Sequence, residues 1–273
     1  MAFRAPNVDT QSNGNDLITA VLLFGQFGFL RSRALLVLAS GYLFTAVMAV
    51  SHMLTFPGLF APTGLLGAGP QSTAWLYMFW HGGFPFCVIA YVLLKGEGRA
   101  TSQPCGRASV AVLSSVGAAL VAVCGLTLLA TTGQDSLPAI MRGNHYTPAM
   151  IIVVSSVWGL SLLALIVLWR RRPHSVLDLW LMVVMCAWLF DIALAAVLNA
   201  GRFDLGFYAG RIYGLLAASF VLMVLLVENG KLYFELDRQN RSLEATVREH
   251  TTPPEREGSD DGLAPRRRGP RAE

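Results

Sequence analysis

The chain has 273 residues, of which 54% are hydrophobic and only 14% charged, with a formal net charge of +4. Soluble domains carry roughly 25% charged residues, so a water-solvated globule is excluded and a helical membrane protein is left. The four cysteines (Cys87, Cys105, Cys124, Cys186) form no CxxC or Cys/His spacing, so neither a disulfide framework nor a zinc site is indicated.

The apolar residues are gathered into blocks close to the ~20 residues that cross a bilayer as a helix. A short first block, Leu17 to Leu30, is expected to be a retained, incomplete or tilted helix lengthened by Asn15 and Asp16 at the interface. It is followed by RSR rather than a small-residue cleavage site, and Asp9 and Asp16 spoil a basic leader, so it is not a signal peptide. Six longer blocks follow: Ala34 to Phe56, Thr73 to Leu94, Ser109 to Thr131, Ala149 to Trp169, Val176 to Leu198 and Phe207 to Val227. The expected fold is all-α, a polytopic bundle of about seven transmembrane helices over residues 1–227, with a C-terminal cytoplasmic signalling helix.

Positive charge in short loops sets orientation. Arg31 and Arg33, then Lys95, Arg99 and Arg107, then Arg170, Arg171 and Arg172 follow helices one, three and five, while the intervening loops hold only Arg142, Arg202 and Arg211. The odd-numbered helices therefore end in the cytoplasm, which puts the C-terminus inside a bacterial inner membrane and leaves the N-terminus outside. These arginines account for much of the pI near 9.0, so no nucleic-acid partner is implied.

Ionisable residues in membrane helices are costly and informative. With this orientation His52, His81, Asp191 and Arg211 all fall in the outer half of the bilayer. The two histidines bracket PGLFAPTGLLGAGP, too broken to span as a helix and too apolar for a freely solvated loop. Such backbone is tolerated where protein covers it or where it lines a cavity. A cap formed by residues 57–70 over an outward pocket of His52, His81 and Asp191 is the expected arrangement, with Arg211 at the mouth and Trp75, Tyr77 and Trp80 beneath the loop. The competing reading makes the histidines helix-packing residues, Asp191 and Arg211 a simple pair, and the three aromatics an interfacial belt. Buried imidazoles there could report pH, since histidine titrates near neutrality. They could also ligate haem or copper, a weak possibility for the two residues His52 and His81; no cofactor is predicted.

Other chemistries find no residues. The only lysines, Lys95 and Lys231, lie outside the spans, so seven helices do not imply a retinal Schiff base. HxxxH and HxxHH boxes are absent, as are GxSxG, HExxH and P-loop patterns.

After Val227, Leu232, Leu236, Leu243 and Val247 recur at spacings of four, seven and four with charges between. Residues 228–249 fit a helix that begins a parallel two-stranded coil, hence a homodimer; a helix lying on the membrane surface is the alternative. Residues 250–273 are Pro-, Gly- and Arg-rich and are expected to be disordered.

The segments NDLITAVLLFGQF, RSRALLVLASGYLFTA, HMLTFPGLFAPTGLLGAG, WLYMFWHGGFP and YFELDRQNRSLEATV resemble a bacterial membrane-associated sensor domain, the fourth type of the MASE series. The resemblance covers most of residues 15–249. It implies a multi-span input domain joined to histidine kinases, diguanylate cyclases or related outputs. A usual leading hydrophobic helix and a continuing output domain are not recognised here, so a truncated gene or a stand-alone sensor is expected. A sensory domain without catalysis, set in the bilayer and acting on a cytoplasmic output partner, is the leading class. A small transporter or membrane redox protein using the same outer pocket is the other. The lack of an internal repeat and of polar residues in the inner half favours the sensor.

Overall fold

The computed structural model describes residues 6–95, 105–142 and 145–197, and then positions 216, 219, 222–224, 226–227, 230–231, 234–235 and 237–244. The chain divides into two units, Met1–Asn229 and Gly230–Glu273. In the first, α1 (Pro6–Leu30), α2 (Arg33–Thr55), α3 (Ser72–Leu94), α4 (Cys105–Thr131), α5 (Pro148–Arg170) and α6 (Val176–Val197) follow one another. Among the described residues five helices, those from α2 to α6, are long and apolar enough to cross a membrane, and α1 adds the shorter apolar stretch Gly14–Leu30. Lipid offers backbone groups no hydrogen-bond partner, so apolar runs of this length close their bonds internally as helices. Most of the expected seventh span, 207–227, lies outside the described residues; positions 216, 219, 222–224, 226 and 227 are helical.

One expectation is corrected. The first helix starts at Pro6 rather than near Leu17, so Asp16 is not an interfacial residue. It is buried within the helix and its carboxylate accepts a hydrogen bond from the Thr45 hydroxyl of α2 at 3.2 Å.

Two sets of contacts define the ends of the bundle. At the basic end, Lys95 just past α3 donates to Asp178 of α6, which also accepts from the Tyr91 hydroxyl at 2.8 Å and from the Ser175 amide at 2.6 Å. Ser175 Oγ in turn accepts the Asp178 amide, so the start of α6 is closed by a reciprocal cap. At the other end, the side-chain Oε1 of Gln71 accepts the amides of Ile140 and Met141, tying the start of α3 to the α4–α5 connection. Residues 57–70 fold there as successive turns. Gly64, at φ +85, lies so close to the Thr55 carbonyl that a Cβ would stand 2.3 Å from its oxygen. The short connection 132–147 adds a two-residue antiparallel bridge, Met141 with Tyr146 and Arg142 with His145.

α2 is the central helix: α1, α3 and α4 all pack on it. Of its span, 67% is buried, against 11% for α4, whose Val110, Leu113, Val121 and Leu128 point outward. Such a face is solvated by acyl chains, which are as apolar as leucine itself. The contact between α2 and α3 is close because glycines remove side chains from it. A Cβ on Gly41 would stand 2.7 Å from Cys87 Cβ, and one on Gly83 would meet the Phe44 ring at 2.3 Å. α6 rests on α5 and reaches α3 through long side chains rather than close backbone.

The apolar interior falls into two clusters. One, toward the basic end, holds Leu23, Leu38, Phe84, Val88, Leu168 and Met185; the other holds Met48, Leu76, Ile140, Val154 and Ile192. Asp16, Thr45, His81 and Asp191 occupy the seam between them. All four stand roughly 18–23 Å from the helix ends at Leu30, Arg33, Leu94 and Val176, at 1.5 Å per residue.

The α2–α3 contact gives a direct test. Gly41→Ala drives a methyl into a Cβ that cannot rotate away, and should cost about 1–3 kcal/mol. The loss should appear as a lower midpoint in thermal unfolding of the purified protein, and Cys87→Gly in the same chain should recover part of it.

Candidate functional site

His81 is the centre of the seam. On α3 the residues Tyr77, His81 and Phe84 follow one face at helical spacing. The His81 Nδ1 lies 2.9 Å from the backbone carbonyl oxygen of Tyr77, and its Nε2 lies 3.1 Å from Asp191 Oδ2 on α6. The Tyr77 hydroxyl donates to that same oxygen at 3.1 Å.

Both atoms flanking the imidazole are oxygens of groups that normally accept. A neutral imidazole carries one N–H and can satisfy only one of them. The second contact is a hydrogen bond only if another proton is present, on the second ring nitrogen or on the Asp191 carboxyl. Without that proton, either the Tyr77 or the Asp191 contact sets lone pair against lone pair.

Aromatic rings surround this pair. The Tyr77 ring lies 3.9 Å from the His81 ring between centroids, Trp188 4.7 Å and Trp80 4.8 Å. Trp188 extends the stack to Phe84 at 5.0 Å. His52 lies against Tyr77 and Trp80, each at 6.1 Å, the same two rings that contact His81. The Trp80 indole N–H is buried without a hydrogen-bond partner among the described residues.

The backbone below His81 is weak by composition. Pro85 has no N–H, so the His81 carbonyl loses the helix bond it would receive from four residues on. Gly82 and Gly83 lie between, the residues with least resistance to a change of helix geometry.

Of the residues expected from sequence to share a pocket, His81, Asp191, Tyr77, Trp80 and His52 fall into one cluster. The rings of Tyr77, Trp188 and Trp80 stand around His81. Trp75 belongs to another contact: its indole N–H donates to the Pro138 carbonyl at 3.1 Å, tying α3 to the α4–α5 connection. Residues 57–70 pack on Thr55 and Leu54, with Leu65 N donating to the Leu54 carbonyl at 2.8 Å, and Gly69 lies against Gln134. Arg211, expected at the mouth or paired with Asp191, lies outside the described residues. For haem or copper at His52 and His81 the geometry is poor, since both His81 nitrogens already face oxygen acceptors. No group of three or more His, Cys, Asp or Glu is placed to hold a metal among the described residues.

Three members were not anticipated. Trp188 precedes Asp191 by one turn and shares its face, a spacing that could have shown it. Asp16 was hidden by the misplaced start of the first helix. Tyr42 reads as an ordinary apolar position, yet its hydroxyl is buried without a partner among the described residues.

Comparison with known families matches residues 15–233 to the family described as membrane-associated sensor, integral membrane domain (MASE4). Comparison with curated proteins and with solved structures gives no match. The match takes in all of α2 to α6 and the whole His81 cluster, and the chain belongs to the MASE4 family of integral membrane sensor domains.

Proposed function

We propose that this multi-pass membrane sensor domain uses the shared proton of His81 and Asp191 as its switch, and passes the change to a cytoplasmic output through residues 228–249. The observation that carries the reading is the imidazole held between two acceptor oxygens. Loss or capture of one proton there turns an attraction between α3 and α6 into a repulsion. α6 meets α3 through these side chains, and α3 is loosened at Gly82, Gly83 and Pro85, so the least costly response is a shift of the two helices. The domain itself performs no catalysis in this reading. Supporting a transmitted movement, the described part of the second unit is helical and exposed, with Arg241 and Asp237 paired one turn apart at 2.7 Å.

Spin labels placed at the outer ends of α3 and α6, in the full chain in lipid nanodiscs, should report a distance change as pH is stepped. Asp191→Asn and His81→Gln should abolish it. A wild type without the change, or variants that retain it, would sink the proposed switch.

The orientation has its own check. A reporter active only in the periplasm should be on when fused after Asp135 and off when fused after His174. The reverse pattern would place the basic end outside.

Dimerisation through 228–249 predicts that a cysteine at Leu236 cross-links between subunits in membranes while one at Arg238 does so poorly. Equal cross-linking at both positions would identify a surface helix.

A further inference from the structure

Asp16 is a buried carboxyl that the His81–Asp191 pair does not use. It is 8% exposed, and its Oδ2 accepts from Thr45 Oγ at 3.2 Å. The Thr45 hydrogen is shared, because the same hydroxyl lies 2.8 Å from the Tyr42 carbonyl oxygen, the shorter of its two contacts. One turn below Thr45 on α2, Tyr42 is 4% exposed and its phenol hydroxyl has no partner among the described residues. Three residues before Thr45, Tyr42 lies on the face of α2 that meets Asp16.

A carboxylate buried with half a donor is badly solvated, whereas a neutral carboxyl is not. A buried O–H lacking an acceptor, on the helix face that meets a carboxyl with one shared donor, makes a pair that can exchange partners with one proton. We propose that Asp16, with Thr45 and Tyr42, is a second proton-binding site of the domain, separate from His81 and Asp191. When loaded, Asp16 is a carboxylic acid. On discharge its O–H bond breaks, the electron pair stays on the carboxylate, the proton leaves to water, and the Tyr42 hydroxyl turns to donate to the charge.

The surroundings leave this exchange to Asp16. On α1 the next ionisable residues are Asp9, two turns toward one end, and Arg31 at the other; on α2 they are His52, two turns outward, and Arg33 at the basic end. α4 carries no charge from Ala108 to Thr131. From α3 and α6, His81 and Asp191 stand beyond the rings of Phe84 and Trp188. Those rings connect the two sites: Tyr42 meets Phe84 edge-on at 5.0 Å, Phe84 meets Trp188 at 5.0 Å, and Trp188 lies over His81. On its other side Asp16 adjoins Asn15, whose amide donates to Ser219 Oγ at 3.0 Å. A turn of Tyr42 is therefore felt at the His81 cluster, and a shift of α1 at the helical positions that precede residue 228.

Infrared difference spectroscopy of the full chain in nanodiscs, stepped through pH, tests this. Wild type should show a protonated-carboxyl C=O band that Asp16→Asn removes and Asp191→Asn leaves. Tyr42→Phe deletes only an unpartnered hydroxyl, so the protein should fold. Without that donor for the charged form, the band should persist about one pH unit further toward alkaline. An Asp16→Asn spectrum identical to wild type would overturn the site, as would a band that responds to sodium rather than pH. Should Asp16→Asn fail to fold, Tyr42→Phe decides alone, and a band it leaves unmoved is evidence against the site.

Discussion

An imidazole with a carbonyl oxygen on one side and a carboxyl oxygen on the other satisfies both contacts only with two protons between ring and carboxyl, and the contact between α3 and α6 turns on that constraint. In water the conflict would be relieved by solvent. Inside a bilayer no solvent is at hand, so the electrostatics of the pair act at low dielectric and at full strength. The rings of Tyr77, Trp80 and Trp188 exclude water from His81, and the Tyr77 hydroxyl gives Asp191 a second donor. In the proposed switch a change in proton content acts between helices rather than on rearranged water.

Whether such a force moves anything depends on the packing, which differs on the two sides of α3. Toward α2 the fit is by backbone approach, with Gly41 against Cys87 and Gly83 beneath the Phe44 ring. Interdigitation of that kind is stiff, since overlap there costs energy steeply. Toward α6 the fit is by long side chains alone, apart from the clasp of Lys95, Tyr91 and Asp178 at the basic end. That clasp holds α3 and α6 together at one end and the Gln71 contacts hold α3 to residues 140–141 at the other. Between them α3 carries Gly82, Gly83 and Pro85, where one helix bond is missing while the backbone stays packed on α2 and α5.

Much of this was legible in the sequence, for identifiable reasons. Block length gave the spans, because bilayer thickness fixes it; the ends of α2, α3, α5 and α6 fall within a residue of the apolar blocks. His81 and Asp191 were legible because an ionisable group in lipid needs a reason. What the blocks do not carry is rotational phase between helices, so the partner of Asp191 was left open between Arg211 and a shared pocket. Spacing within α3 resolves part of it: Tyr77 and His81 share a face, whereas Trp75, two residues from Tyr77, cannot. Asp16 was misread because the polar stretch before Leu17 gives no apolar signal, although it continues the helix and carries the acid inside.

The seam places both acids and the histidine at one level, between two apolar clusters. The layer is polar yet filled, with Gly83 beneath the Phe44 ring and the rings of Tyr77, Trp80 and Trp188 against His81. The same layer joins α1, α2, α3 and α6 through Asp16 with Thr45, Tyr42 with Phe84, and His81 with Asp191. Three of these helices, α1, α3 and α6, carry Asp16, His81 and Asp191 at that level, and a layer of buried titratable groups within lipid stands at a stability cost that function, rather than folding, has to justify.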